Sequence, residues 1–264
     1  QILQKSLSVQ TEYGNIPEQP FLSLVTYRNV NKIFIRIIPW NESLDQTKNK
    51  LDAQKLYQRY ASQKPIQEWS VDLSDDTDYQ QHRVEIKMPT ISVGQYLILI
   101  GTDSAFSYVK NALGYSRTWV TNISYIRKET GENKVLFYAL DRKSGNPFSN
   151  INVEVYGQKY VQDEREYQFF KLNSGKTDGD GGFEFKKDDN QYNTYKVIFI
   201  DGKDRFESQN FYSYNYQETI EKRNTTFFYL DRAIYRPGQI VYFKGLMIET
   251  DGKKDHKVVT NQTT

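Results

Sequence analysis

The stretch that most constrains the fold is residues 226–249, where two apolar runs rich in β-branched and aromatic residues flank Arg236-Pro237-Gly238. Proline fixes φ and glycine tolerates positive φ, so Pro237-Gly238 suits the central positions of a tight turn. From Ile240 to Glu249 alternate residues share a face, and this period of two favours a strand over a helix. The stretch therefore predicts the start of a β-domain.

Three motifs in this stretch resemble the signature that opens a macroglobulin domain in bacterial alpha-2-macroglobulins: LDR at 230–232, IYRPGQ at 234–239 and VYFKG at 241–245. Residues 135–156 resemble a strand–turn–strand element of macroglobulin domains, and residues 175–185 resemble the turn and strand that follow it. Residues 27–37 resemble a hairpin of the family's early domains, and residues 94–103 resemble a strand that closes many sandwiches. The resemblance implies consecutive macroglobulin-type β-sandwiches.

Composition indicates the same fold class. Aromatic residues make up 15% of the chain, with 21 Tyr and 15 Phe, and this usage is typical of pleated, half-buried surfaces. A chain of 264 residues is long enough for two or three small domains. We expect an all-β chain of consecutive antiparallel, macroglobulin- or immunoglobulin-like sandwiches. Residues 1–116 and 117–224 each form one sandwich, and residues 225–264 form the incomplete start of a third.

One segment of the first domain has a helical period instead. Ala53, Leu56, Tyr57 and Tyr60 fall at i, i+3, i+4 and i+7 among charged and amide side chains, ahead of Pro65. This spacing predicts a short amphipathic helix. We interpret it as a connection that covers a sheet edge or face; the alternative is a helix that binds a partner.

Charge and cysteine usage exclude several classes. The 35 basic and 33 acidic side chains are mixed and give a net charge of +2, so we expect no nucleic-acid partner. No apolar run reaches the roughly 18 residues of a membrane-spanning helix, and the first residues lack the apolar core of a signal peptide, which fits a segment of a longer precursor. Absence of Cys excludes disulfides, a thiol nucleophile and cysteine zinc sites.

Within the family, secreted animal members usually carry disulfides, so the absence of Cys favours a bacterial source. The resemblance then implies export to the periplasm or cell surface, with a lipid anchor as one option through residues preceding this segment. Protease capture in the family uses a bait region and, in many members, a Cys-containing thioester, both far downstream of the early domains. Neither motif is present in these residues.

The candidates for site chemistry all have simpler interpretations. Residues 178–182, with Asp178 and Asp180 on a glycine-rich turn, can present oxygens to calcium, but they lack the further carboxylates of a calcium loop. His82 lies in an alternating strand and His256 in a charged loop, so neither suggests a catalytic or zinc group. Further carboxylates fall in polar loops as solvated residues: Asp75, Asp76, Asp78, Asp188 and Asp189. We therefore predict no catalytic, cofactor-binding or metal-ligating residues and no cofactor.

Two functional hypotheses follow. The first is a non-catalytic scaffold segment of a bacterial alpha-2-macroglobulin-like, protease-trapping protein, whose partners are proteases, through the full-length protein, and neighbouring macroglobulin domains. The alternative is a surface adhesion or glycan-binding array. In that case exposed aromatic residues make the contacts; the candidates are Trp40, Trp69 and Trp119 and the row Tyr212, Tyr214 and Tyr216. An enzyme with a loop-borne carboxylate site ranks below both.

The last segment supplies too few strands for a sandwich, which takes about seven. Unpaired strand edges recruit other strands. We therefore expect the strand from Ile240 to Ile248 to pair with another sheet edge, either on the second domain or on a second copy of the chain.

Overall fold

The computed structural model describes residues 2–41, 51–74, 78–108, 111–131, 133–188, 191–192, 194–212, 223–232, 235, 238–250 and 256–260. The chain forms two compact units, Gln1–Ser213 and Tyr214–Thr264. The first unit contains two β-sandwiches, and the second contains a three-stranded sheet. The expected all-β class is confirmed.

The first sandwich contains β1 (Ser6–Thr11), β2 (Gly14–Asn15), β3 (Phe21–Arg28), β4 (Lys32–Pro39), α1 (Ala53–Ala61), β5 (Gln67–Asp72), β6 (His82–Met88), β7 (Gly94–Gly101) and β8 (Leu113–Val120). A three-stranded sheet has the order β1-β3-β6, and a five-stranded sheet has the order β2-β8-β7-β4-β5. All pairings are antiparallel except the short parallel contact of β2 with β8. Residues 27–37 join β3 to β4, but these strands lie in different sheets and pair with other strands, so the connection crosses between the sheets and is not the expected hairpin.

The five-stranded sheet is covered on both faces. Ile33, Ile35 and Ile37 of β4 are fully buried against the three-stranded sheet. On the opposite face, Leu97 and Leu99 of β7 belong to a separate buried cluster with residues of α1. This double burial explains why β7 is a continuous apolar run, since strands covered on both faces need no polar alternation.

The helix α1 forms the third layer of this sandwich. The Asp52 side chain caps its N-terminus by accepting a hydrogen bond from the Lys55 N–H at 2.9 Å, and such caps satisfy an otherwise unpaired donor. Leu56 and Tyr60 are buried beneath it, and Tyr60 packs against Trp40 with ring centroids 5.5 Å apart. The predicted helix is confirmed, and it covers a sheet face.

The second sandwich contains β9 (Ile123–Gly131), β10 (Lys134–Asp141), β11 (Asn152–Val161), β12 (Glu166–Lys176), β13 (Gly182–Lys186), β14 (Thr194–Asp201), β15 (Asp204–Glu207) and β16 (Phe211–Tyr212). One sheet has the order β13-β10-β9; the other has the order β12-β11-β14-β15, with β16 also paired to β14. Alternate residues of these strands fill the core, as Val153, Val155 and Val197 illustrate with no exposed surface.

Two predicted turns of the second sandwich are ordered by their own carboxylates. Asp141 Oδ1 accepts hydrogen bonds from the Ser144 N–H and hydroxyl, both at 2.7 Å, and these bonds lower the pKa of Asp141. Asp178 Oδ1 accepts from the Gly182 N–H at 2.6 Å and the Asp180 N–H at 3.0 Å. The Asp178 carboxylate therefore closes a plain turn.

The predicted boundary between residues 116 and 117 falls inside β8. This strand pairs along its whole length with β7, so residues 117–120 belong to the five-stranded sheet of the first sandwich. At the end of β8 the side chains divide between the two hydrophobic cores: Val120 packs in the core of the first sandwich, and Trp119 packs in the core of the second. Strand pairing thus extends the first sandwich to Val120, four residues beyond the expected end.

The second unit contains β17 (Arg223–Leu230), β18 (Phe243–Thr250) and β19 (His256–Val258), with β18 in the middle. Arg223 begins β17, so the predicted boundary at 224/225 also falls within a strand. Gly238 has φ +86, as a tight turn requires, whereas Arg236 and Pro237 lie outside the described residues. The predicted strand from Ile240 begins three residues later. It pairs with β17 and β19 of its own unit rather than with the edge we expected.

Candidate functional site: the junction and the cleft between the sandwiches

A buried carboxylate holds the link between the two sandwiches. Residues 121–122 connect β8 to β9, and Asp204 begins β15 of the second sandwich. Asp204 accepts hydrogen bonds from the Thr121 hydroxyl at 2.6 Å, the Asn122 N–H at 2.7 Å and the Asn122 amide at 3.2 Å. Charged acceptors make stronger hydrogen bonds than neutral ones. Asp204 therefore fixes the path of the linker against the second sandwich.

Arg142 joins the second sandwich to the first. Its Nη2 donates to the Ile123 carbonyl at 2.6 Å, and its Nη1 donates to the Gly14 carbonyl of β2 at 3.3 Å. A Cβ atom on Gly14 would lie 2.5 Å from Arg142 Nη2, so glycine permits this approach. Burial lowers the pKa of Arg142, and the nearby Asp204 and Glu12 carboxylates oppose that shift.

An aromatic layer surrounds these polar contacts. Phe206 of β15 packs against Tyr13 at 5.9 Å, Trp119 at 6.0 Å and Tyr125 at 5.9 Å between ring centroids. The Arg142 guanidinium lies 5.1 Å from the Phe206 ring centre. Burial raises the pKa of Tyr13 to about 12. We call Gly14, Thr121, Asn122, Arg142, Asp204 and Phe206 the junction.

A cleft of about 710 Å³ opens between the two sandwiches. The first sandwich contributes Trp40, Asn41, Gly94, Gln95, Arg117 and Trp119, and the second contributes Tyr156, Gln168, Phe169, Lys196, Ile198, Lys203, Arg205 and Glu207. Four of these side chains are cationic and one is acidic. The cleft therefore carries an excess of positive charge between aromatic walls.

Some of these charges are already paired. Lys196 forms an ion pair with Glu207 at 3.1 Å and lies 4.5 Å from the Phe169 ring centre. The Arg117 guanidinium lies 5.0 Å from the Trp40 ring centre. With the Gln95 amide oriented so that its oxygen faces Arg117, that oxygen accepts a hydrogen bond from Arg117 Nη2 at 2.7 Å. Lys203 and Arg205 are exposed and make no ion pair with any residue that the structure describes.

The tryptophans are not the exposed stacking surface that the adhesion hypothesis needs. Trp40 and Trp119 are 8% and 4% exposed, and Trp69 is half-buried. Tyr212 is exposed, whereas Tyr214 and Tyr216 lie outside the described residues. Trp40 and Trp119 are therefore unavailable as an open aromatic face, because core and junction packing cover them.

The histidines and loop carboxylates are dispersed. His82 Nε2 lies 2.9 Å from Asp78 Oδ1, and the Gln80 N–H and the His82 ring lower the pKa of Asp78. His256 is exposed in β19, and Asp188 closes a backbone turn through its carbonyl. Asp75, Asp76 and Asp189 lie outside the described residues. No group of three or more His, Asp or Glu among the described residues is placed to hold a metal ion.

Sequence reasoning missed the junction residues. Asp204 stands two residues before Phe206, so the strand period places both on the inward face, and an inward Asp indicates a buried hydrogen-bonding partner. That signal was available. Nothing in the sequence indicates that Thr121 and Asn122 supply the donors, because they are 82 or more residues away.

No family model matches the chain, and no curated protein matches its sequence. Solved structures do match. A crystal structure of native alpha-2-macroglobulin from Escherichia coli spanning domains NIE-MG1 aligns with a TM-score of 0.52 at 14% identity, over 78% of this chain and 97% of that chain. The chain shares the fold of these alpha-2-macroglobulin domains. The expected resemblance is thereby confirmed at the level of fold.

A second crystal structure of the Escherichia coli protein, spanning domains MG0-NIE-MG1, aligns with a TM-score of 0.53 at 13% identity. The alignment covers 78% of this chain and 64% of that chain, so this chain spans less than two thirds of that structure. A transglutaminase from red sea bream aligns with a TM-score of 0.33, which is too weak to bear on function. No helix among the described residues is long and apolar enough to cross a membrane.

Proposed function

We propose that this chain is a non-catalytic scaffold segment of a bacterial alpha-2-macroglobulin-like protein that traps endopeptidases. The supporting observation is the fold, which matches 97% of the Escherichia coli NIE-MG1 structure. Its protease partners act through the full-length protein, and its direct partners are neighbouring macroglobulin domains. We place the protein outside the cytoplasm, in the periplasm or on the cell surface, with a lipid anchor as one option.

The domain order follows from the same proposal. In this proposal the chain contains two successive sandwiches, residues 1–120 and residues 121 to about 224, which correspond to the NIE-MG1 pair. Residues 225–264, together with the start of β17, begin a third macroglobulin domain.

The junction gives the scaffold its physical basis. Asp204 and Arg142 bind the linker, the Ile123 carbonyl and the Gly14 carbonyl through five hydrogen bonds, one buried and four partly buried. Hydrogen bonds to charged groups are stronger than neutral ones and favour one arrangement of the backbone over others. Such a junction fits a spacer that must hold successive domains in a defined geometry.

The test compares this segment with the full-length product of its gene. Each is mixed with a trypsin-like and a chymotrypsin-like endopeptidase, and the mixtures are analysed by gel filtration and denaturing electrophoresis. We expect the full-length product to co-elute with protease, and residues 1–264 alone to elute separately and leave protease activity unchanged.

Three results would contradict the proposal. The first is hydrolysis of peptide, ester or glycoside substrates by the purified segment. The second is a full-length product that lacks further macroglobulin-type domains and binds no protease. The third is an adduct between protease and the segment alone that survives denaturing electrophoresis.

A further inference from the structure

We propose that the cleft between the sandwiches binds an extended, acidic peptide segment whose carboxylates alternate with apolar side chains. This inference is independent of the protease-trapping role. It rests on the size, charge and walls of the cleft.

The cleft has the dimensions of a binding site. Its volume of about 710 Å³ lies within the range of roughly 300–1,000 Å³ that small-ligand sites occupy. Both sandwiches contribute to its walls, and the junction contacts hold those sandwiches together. A site of this kind is largely pre-formed, which reduces the entropy cost of binding.

The positive charge of the cleft favours a negatively charged ligand. Arg117, Lys196, Lys203 and Arg205 line the cleft together with one carboxylate, Glu207. Arg117 lies over the Trp40 ring, and the Glu154 carboxylate interacts electrostatically with Arg205, so the charge offered to a ligand comes mainly from Lys203 and in part from Arg205. Lys196 is already neutralised by Glu207 at 3.1 Å. Lys203 lies in the turn that joins β14 to β15, and Arg205 lies in β15; neither makes an ion pair with any described residue. They are available to carboxylates on a ligand, and Arg binds carboxylates with two parallel hydrogen bonds.

The apolar part of the cleft fits side chains between those carboxylates. Ile198, 2% exposed, and the half-buried Phe169 lie on the second sandwich and line the cleft. Trp40, 8% exposed, lines the opposite wall. A peptide supplies apolar side chains for these walls and carboxylates for the cations beside them.

The same walls disfavour a sulfated glycan, the other common polyanion. Sugar rings bind by stacking on open aromatic faces, whereas Trp40 and Trp119 are 8% and 4% exposed. The Arg117 guanidinium already lies over the Trp40 ring, 5.0 Å from its centre. The cleft therefore offers cations and buried apolar edges rather than a stacking platform.

The test is isothermal calorimetry of the full chain with an acetylated, amidated hexapeptide of alternating Glu and Phe. Two further peptides replace Glu with Gln or with Lys. The double variant Lys203→Gln/Arg205→Gln removes the unpaired cations. The double variant Arg83→Gln/Lys143→Gln, at exposed positions that do not line the cleft, makes the same change in net charge.

We expect the Glu peptide to bind, the Gln and Lys peptides to bind at least tenfold more weakly, and added salt to weaken binding. Lys203→Gln/Arg205→Gln should lose about tenfold in affinity, and Arg83→Gln/Lys143→Gln should change it less than twofold. Circular dichroism of both variants checks the fold. No binding at 1 mM peptide, an equal loss in both variants, or stronger binding of a sulfated hexasaccharide would overturn the proposal.

Discussion

The two units have strands of the same chemical type in opposite environments. In the first unit, Ile35 and Val155 have no exposed surface. In the second, Phe227 and Phe228 point to opposite faces of β17 and are 48% and 63% exposed. Alternating apolar residues therefore specify a strand in both units, but a second layer decides whether the strand is buried.

The glycines show the same contrast. Gly181 and Gly238 both have positive φ, +75 and +86. A Cβ atom on Gly181 would lie 2.4 Å from the Ala139 carbonyl oxygen, whereas none of the described atoms lies within 4 Å of a Cβ on Gly238. In the first unit, packing and backbone conformation both require glycine; in the second, the conformation alone does.

The largest expected effect separates a covered from an uncovered phenylalanine. Phe137 is fully buried among Tyr125, Phe199 and Phe211, so Phe137→Ala should destabilise the sandwiches by about 3–5 kcal/mol. Phe228→Ala, its matched control, loses one ring contact with Phe243 and should leave the unfolding of the sandwiches unchanged. All three tryptophans, Trp40, Trp69 and Trp119, lie in the first unit, so urea unfolding followed by tryptophan fluorescence reports on that unit. Equal shifts from the two variants would contradict the comparison.

Local pattern was sufficient for much of the fold. The period of two from Ile240 to Glu249 predicted the strand that forms from Phe243, and the helical period of Ala53, Leu56 and Tyr60 predicted the helix that forms. The domain boundaries were displaced because nothing local in Leu113–Val120 records that its partner is β7 rather than a strand of the next sandwich. Long-range pairing, not propensity, decided the boundary.

The candidate site was less predictable than the fold. Its lining residues come from six strands, from residues 40–41 after β4 and from the turn at Lys203, and they converge only when the two sandwiches pack. Exposure could not be derived either: Trp119 lies in an alternating strand, but Phe206, distant in sequence, covers it at 6.0 Å. The inward position of Asp204 was the one local signal of the junction.

The first unit holds a buried polar side chain, Asp204, whereas the second unit has no buried side chain among its described residues. A variant at Asp204 therefore tests what burial contributes in the first unit. Asp204→Ala removes the acceptor of the Thr121 hydroxyl and of the Asn122 N–H and leaves buried donors unsatisfied. We expect a loss of about 2–4 kcal/mol in urea unfolding of the sandwiches. Asp201→Ala, at the exposed position paired with Asp204, is the control and should cost less than about 0.5 kcal/mol. Similar losses in both variants would show that the junction bonds contribute little.

Alkaline pH tests the burial of Tyr13. Its folded pKa is raised to about 12 from the ordinary value of 10.0, so above pH 10 the unfolded chain releases this proton first. The stabilising contribution is complete below pH 10 and is lost as pH rises towards 12, by about 1 kcal/mol at pH 11. Between pH 9 and pH 11 the free energy of unfolding, measured with urea, should therefore fall by about 1 kcal/mol less in Tyr13→Phe than in the unaltered chain. Parallel pH profiles would mean that Tyr13 is more solvated than the junction geometry indicates.

The smallest effect is expected from the largest change, deletion of residues 214–264. Every hydrophobic core cluster among the described residues is built from residues up to Phe211, and the chain divides into units after Ser213. Removing the second unit takes no side chain from those cores, so the free energy of unfolding of the sandwiches should change by less than about 0.5 kcal/mol. Tryptophan-monitored urea unfolding of residues 1–213 and 1–264 measures the difference directly. If the deletion instead unfolds the second sandwich, β17 to β19 complete that sandwich, and the assignment of residues 225–264 to a third domain is wrong.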